Sequence, residues 1–144
     1  MNYQSIRAAY EVPIATACAA LSPAVPVFFD NLAASTLTST SEYVMVNITF
    51  GLTTEVALKA DFDYVRGAII CRVHTPKGKG SVRNQTIIAA ITGAFQTLNA
   101  TARAAGAGVY ARVNQIDGPT FDAPADLPHY IGRFSCGLIA SVYT

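Results

Sequence analysis

Tyr64-Val65-Arg66-Gly67-Ala68-Ile69-Ile70-Cys71-Arg72-Val73-His74-Thr75-Pro76-Lys77-Gly78-Lys79-Gly80-Ser81 decides the fold. Its first eleven residues alternate. Val65, Gly67, Ile69, Cys71 and Val73 fall on one side, and Tyr64, Arg66, Ala68, Ile70, Arg72 and His74 on the other. Period two with one apolar and one mixed side describes a strand covered on one face. Pro76 lacks a backbone donor, and Gly78 and Gly80 tolerate unusual dihedrals, so the strand stops in a tight turn. After Ser81 the spacing changes. Ile87, Ile88, Ile91, Phe95 and Leu98 fall three or four apart, which makes one stripe on a helix. A strand feeding directly into a helix lays that stripe across the sheet.

Working outward, Ile6, Ala9, Tyr10, Ile14, Ala17, Cys18 and Leu21 mark a helical face over residues 3–21, with a kink or break expected near Val12-Pro13. Ser22-Pro23 ends that helix. Pro26–Asn31 reads as a short edge strand because proline precedes it. Ala33–Ser41 has no period and reads as a loop. In Tyr43–Phe50, Val44, Val46, Ile48 and Phe50 share one face of a strand. Gly51–Asp63 carries a weak alternation at Thr54, Val56 and Leu58, with Glu55, Lys59, Asp61 and Asp63 interspersed. It reads as a hairpin tip or projecting arm, with an unstructured loop as the alternative. Val109–Ile116 is a strand, Asp117-Gly118-Pro119 a turn, and the stretch through Asp122, Pro124, Asp126 and Pro128 an acidic loop. Tyr130, Gly132, Phe134, Cys136, Leu138, Ala140 and Val142 form one face of a long closing strand.

These elements predict one α+β domain over residues 1–144. Its order is α-β-β-β-α-β-β, with a mostly antiparallel sheet of four to five strands and two main helices packed on one face. The 144 residues are 51% hydrophobic and only 13% charged, so apolar surface is left to hide, and subunit contacts are a plausible place. A net charge of +1 supplies no global attraction to nucleic acid or a membrane. Cys18, Cys71 and Cys136 read as buried thiols of a reducing compartment. The apolar run Ile14–Val27 is too short and too broken by prolines to span a bilayer. The sequons at Asn47, Asn84 and Asn99 read as chance matches.

No pattern specifies catalysis. Gly78-Lys79-Gly80-Ser81 has the wrong order and length for a phosphate loop. His74 and His129 lie far apart without metal-ligand spacing, and His74 reads as a surface residue. The aspartates sit in polar loops rather than around a pocket, and no serine sits on an elbow turn. The one basic cluster visible in the chain, Arg72, Lys77, Lys79 and Arg83, has no interleaved aromatics to stack bases. No enzyme, cofactor or metal is expected. Partner contacts are expected at the turn bearing Lys77, Lys79 and Arg83, and at the connection bearing Glu55, Lys59 and Asp61. The alternative is that both are simply solvated.

Tyr3–Ala9 opening a helix, then Pro26-Val27-Phe28-Phe29-Asp30-Asn31, then Glu42-Tyr43-Val44-Met45-Val46, form a sequence of elements. A strand running into Thr75-Pro76-Lys77-Gly78-Lys79-Gly80, a helix and a long closing strand complete it. In that order and spacing the chain resembles the tail terminator proteins of long-tailed bacteriophages. Pro13 and the Ala/Ser/Thr-rich Ala33–Ser41 depart from the family pattern. The resemblance implies a structural virion protein, assembled in the bacterial cytoplasm and located at the tail neck. It implies a homo-hexameric ring on the head-proximal end of the tail tube that ends tube polymerisation. Its implied partners are the tail tube protein, the neck or head-tail connector (stopper) protein, and the sheath protein if the tail is contractile. Genome DNA passes only in transit through the lumen, and no membrane is involved. A long last strand would suit a subunit that lends edges and faces to its neighbours. Two other readings stay open: a different neck or tail-completion component, and a small α+β enzyme or ligand-binding domain.

Overall fold

The alternating stretch around Ile69 is the middle strand of a five-stranded sheet. The structure is a computed structural model, and it describes residues 3–30, 41–55, 62–101 and 109–143. Its elements in chain order are α1 (Tyr3–Ala19), β1 (Val27–Phe28), β2 (Tyr43–Glu55), β3 (Phe62–Pro76), α2 (Val82–Thr101), β4 (Val109–Asp122) and β5 (His129–Tyr143). Across the sheet the order is β1-β2-β3-β5-β4. Only the β1–β2 pair is parallel. The class is α+β and the element order is α-β-β-β-α-β-β, as the periodicities predict.

The apolar alternation puts one face of the sheet against the helices. Val44, Val46 and Ile48 of β2, Ile69, Cys71 and Val73 of β3, and Phe134, Cys136 and Leu138 of β5 are all buried there. The α2 stripe covers them: Ile87, Ile88, Ile91, Phe95 and Leu98 are each no more than 6% exposed. From α1, Ile6, Ala9, Tyr10, Ile14 and Cys18 complete one contiguous core. The Tyr10 hydroxyl crosses that core and lies 2.9 Å from the Arg112 carbonyl and 3.0 Å from that of Ile139. Burial holds its phenol above the usual range. The three cysteines are free and buried. Burial above all pushes the Cys18 thiol up to about 11 and that of Cys136 to about 12, which keeps them protonated and unreactive.

Two glycines allow close approaches, one between helix and sheet and one between neighbouring strands. A Cβ on Gly132 would lie 2.2 Å from Asn84 Oδ1 and 2.8 Å from Ile88 Cδ1, so the start of α2 presses directly on β5. A Cβ on Gly67 would lie 2.0 Å from the Thr49 carbonyl oxygen, beside the bulge between Phe50 and Leu52.

Several expectations are corrected. Of the kink or break expected near Val12-Pro13, the break does not occur: α1 continues through Pro13. Ile6 and Tyr10 before the proline, and Ile14 and Cys18 after it, are all buried in the same core. Their burial, at roughly 1.5–3 kcal/mol for a large apolar side chain, outweighs the roughly 3 kcal/mol cost of an internal proline. Asp117-Gly118-Pro119 does not reverse the chain. Gly118 at φ +98° sits in a bulge, and β4 continues to Asp122. The closing strand β5 lies between β3 and β4, so it has no edge to lend. The expected loop at residues 33–41 falls, apart from Ser41, outside the described residues.

Candidate functional site

The turn after β3 uses its two glycines at positive φ, +83° for Gly78 and +80° for Gly80. Its neighbouring cations mostly bind the chain to itself. Lys77 Nζ donates to the carbonyls of Pro124 (2.6 Å) and Leu127 (3.3 Å), tying the turn to the loop before β5. Arg83 Nε donates to both Glu42 carboxylate oxygens at 3.2 and 3.0 Å, and Nη2 to the Pro23 carbonyl at 2.7 Å. Arg83 thus fastens α2 to the chain on either side of β1. Lys79 is exposed and makes no hydrogen bond or ion pair with the described residues. Of the three cations, it is the one not engaged within the fold.

Asn84, in the first turn of α2, reads in the sequence only as a chance sequon, and its structural role is missed there. It is fully buried, and Nδ2 lies within 2.9–3.2 Å of the Val73 carbonyl, Thr75 Oγ1 and the Tyr130 carbonyl. It therefore joins β3, α2 and β5 at one point. The signal was available: Asn84 extends the 87/88–91–95–98 stripe by one step, a polar residue on an apolar face. Asn47 and Asn99 also spend their amides internally, on Asp30 and on the Val113 carbonyl.

The connection after Phe50 is an arm as far as it is described. The β2–β3 ladder continues past the bulge from Leu52↔Arg66 to Glu55↔Asp63. Lys59 and Asp61, with Val56 and Leu58, lie outside the described residues, and Glu55 is placed only by its backbone. Tyr3 packs its ring 5.0 Å from that of Phe50 and hydrogen-bonds Thr53 at 2.8 Å, bracing the arm against α1. Leu52 is 60% exposed at its flank.

Side chains occupy main-chain groups on β2, beside the short outer strand β1, and on the outer strand β4. Beyond the two residues of β1, the β2 edge would be open. There Asp30 accepts from the Ile48 N–H at 3.0 Å and Arg7 Nη1 donates to the Ile48 carbonyl at 3.1 Å, while Arg7 and Asp30 also pair with each other. Burial pushes the Asp30 carboxyl up, but the bonds from Arg7, Ile48 and Asn47 outweigh this and hold it below its ordinary value. On β4, Asn99 Oδ1 accepts from the Val113 N–H at 2.8 Å and Nδ2 donates to its carbonyl at 2.9 Å. Between α2 and β4 lies an open groove of about 600 Å³, with Ile88, Ala89, Thr92, Ile116, Pro119 and Phe121 among its lining residues.

His74 is not a surface residue; it is 7% exposed, as is His129. Tyr43 stacks on His74 with ring centroids 4.3 Å apart, and His129 meets it edge-on at 5.7 Å. These partners come from three strands, so chain spacing hides the burial. Among the described residues His74 Nδ1 is buried without a partner at hydrogen-bond geometry, whereas His129 Nε2 contacts the Ser41 carbonyl at 3.1 Å. Burial, assisted by the neighbouring His129, pushes the His74 imidazole down to about 4. Among the described residues, no group of three or more His, Cys, Asp or Glu could hold a metal ion.

The face of the sheet away from the helices carries arginines that are dispersed in sequence. Register sets Arg66 of β3 and Arg112 of β4 on either side of Ile139, and Arg72 directly opposite Arg133 of β5. Arg72 donates to Asn47 at 3.2 Å. None of the four pairs with a carboxylate among the described residues, where the ion pairs are Arg7–Glu11, Arg7–Asp30 and Arg83–Glu42.

No family model matches the chain, and no curated protein matches it. Among solved structures it is similar to a protein known by a serial label rather than a functional name. The two superpose with a TM-score of 0.68 at 23% identity, covering 100% of this chain and 99% of the other. That likeness concerns the fold. Among the described residues, no helix is long and apolar enough to cross a membrane.

Proposed function

We propose that this chain is a structural subunit of a bacteriophage tail. Six copies join head to tail into a closed collar that caps the head-proximal end of the tail tube and ends its polymerisation. The collar forms the joint to the neck's head-completion protein, with the genome passing through its lumen. In this reading the protein is non-catalytic and works in the virion. Its contacts are with itself, the tube, the neck protein and, in a contractile tail, the sheath.

One observation carries the reading. The chain has two unlike apolar features toward opposite edges of its sheet: the β2–β3 arm with exposed Leu52, and the α2–β4 groove. An arm on one copy that fills a groove on the next is a heterologous contact, and such contacts close into rings when the rotation per copy divides a full turn. The element order that carries the tail-terminator resemblance is also that of the fold.

Native mass spectrometry, alone and with purified tail tubes, tests it. The expected species is six times 15.2 kDa, about 91 kDa, either free or on tube ends. Leu52→Asp and Ile116→Asp should each leave single chains. A wild-type chain that stays single at high concentration and also fails to cap tubes would refute the collar.

A further inference from the structure

We propose that the open face of the sheet binds the phosphate backbones of double-stranded nucleic acid without reading sequence. The proposal does not rest on the collar, since it concerns the arginine rows rather than the groove and is read by a different measurement, although Leu52 of the arm lies opposite Arg66. Arg66 and Arg112 form one row across the strands, and Arg72 and Arg133 a second. Six residues of β3 separate the rows, which at strand rise is about 20 Å. The floor between them is shallow: Ala68 faces Gly137, and Ile70 faces Ser135. Two cationic rows about 20 Å apart flanking a low floor are wide enough to straddle a major groove about 12 Å wide and reach the backbones on its two sides. The described helices pack on the other face, and no described carboxylate forms an ion pair with the arginines. Asp117, opposite Ser135 at the β4 side, is the described carboxylate whose register position lies on this face between the rows. Arginine without lysine favours bidentate grip on phosphate. Ala68, Gly137 and Ser135 on the floor offer no long polar side chain, and Asn114 is the polar group beside Gly137, so the contact is mainly positional.

The test is fluorescence anisotropy of the full-length protein with a labelled 20-base-pair duplex across 25–200 mM salt. Four phosphate contacts predict that log affinity falls with log salt at a slope of about −3.6 per engaged chain. That is roughly a 150-fold loss between 50 and 200 mM. R72Q/R133Q and R66Q/R112Q should each halve the slope, to about −1.8, leaving roughly a 12-fold loss over the same range. Unchanged circular dichroism melting of each variant establishes folding. If R72Q/R133Q unfolds because Arg72 leaves Asn47, R66Q/R112Q carries the test alone, since neither of its arginine side chains bonds within the described fold. No duplex binding at 25 mM salt, or slopes unaltered in the folded variants, overturns the proposal. Equal affinity for polyglutamate of matching charge also overturns it, by making the face a site for acidic protein. So does a change in assembly mass in the quadruple Arg→Gln variant with the duplex slope intact, which would make the face a contact between copies.

Discussion

Acidification should destabilise this fold in a window that His74 sets. In the unfolded chain an imidazole titrates at an ordinary value near 6.5. In the fold it is pushed down to about 4, chiefly by burial under Tyr43 and then by the adjacent His129. The unfolded state therefore binds a proton that the folded state refuses between pH 6.5 and pH 4, so stability rises with pH across that interval. The effect is essentially absent at pH 7.5, is about 1.4 kcal/mol at pH 5.5, and reaches about 2.5 kcal/mol at pH 4.5. His74→Phe keeps a ring stacked on Tyr43 and removes the titration. Urea unfolding at pH 7.5, 6.5, 5.5 and 4.5 measures the difference. The variant should lose about 2.5 kcal/mol less than the wild type between the extremes. Asp30, whose depressed carboxyl stabilises the fold above its unfolded value and stops doing so as pH falls, contributes equally to both proteins and cancels. Parallel curves for the two proteins would refute the reasoning, and with it the burial of an unpartnered His74 Nδ1.

Two further substitutions test how α2 is seated. Phe95→Ala empties a core position that is 1% exposed and should cost about 3–5 kcal/mol by chemical denaturation; a loss below roughly 1 kcal/mol would mean that α2 does not bury this face. Gly132→Ala drives a methyl into Asn84 and Ile88 and should cost about 1–3 kcal/mol, seen as a lower melting temperature, whereas an unchanged melt would contradict the close approach of α2 to β5.

What was legible in the chain was whatever repeats locally. The period of two through Val65–Val73 and the three-four spacing through Ile87–Leu98 name their buried faces directly, because one layer of cover acts on consecutive turns or pleats. The illegible features depend on register between distant segments. Arg66, Arg72, Arg112 and Arg133 look like scattered charges until β5 sets Arg133 against Arg72, and Ile139 between Arg66 and Arg112. His74 looks exposed on the mixed face until Tyr43 and His129 arrive from other strands. Gly118-Pro119 has turn chemistry, yet β5 keeps the chain in its ladder and the same residues make a bulge. Lys77 and Arg83 were candidates for partners because charge suggests solvent, but nearby carbonyls and Glu42 take them up. Reversing charge at Arg83 would therefore loosen the fold as well as any contact, so an assembly defect in such a variant would be ambiguous. Lys79 alone is the cleaner probe of that turn.

The treatment of the sheet edges narrows how copies can meet. An open strand edge offers a ladder of donors and acceptors that pairs with any similar edge and propagates without limit. Here Ile48 has both main-chain groups occupied by Asp30 and Arg7, and Val113 has both occupied by Asn99. The β4 ladder is also interrupted twice, between Val113 and Ile116 and between Asp117 and Thr120. Each device removes a pairing site, so main-chain strand addition is disfavoured along β2 beyond β1 and along β4. Association then falls to side chains on shaped surfaces, where angle and distance are set by packing rather than by a sliding register. A defined rotation between neighbours is the requirement for closure after a small number of copies. An edge-to-edge ladder would instead extend into a fibre, so the capped edges favour the proposed collar over open polymerisation.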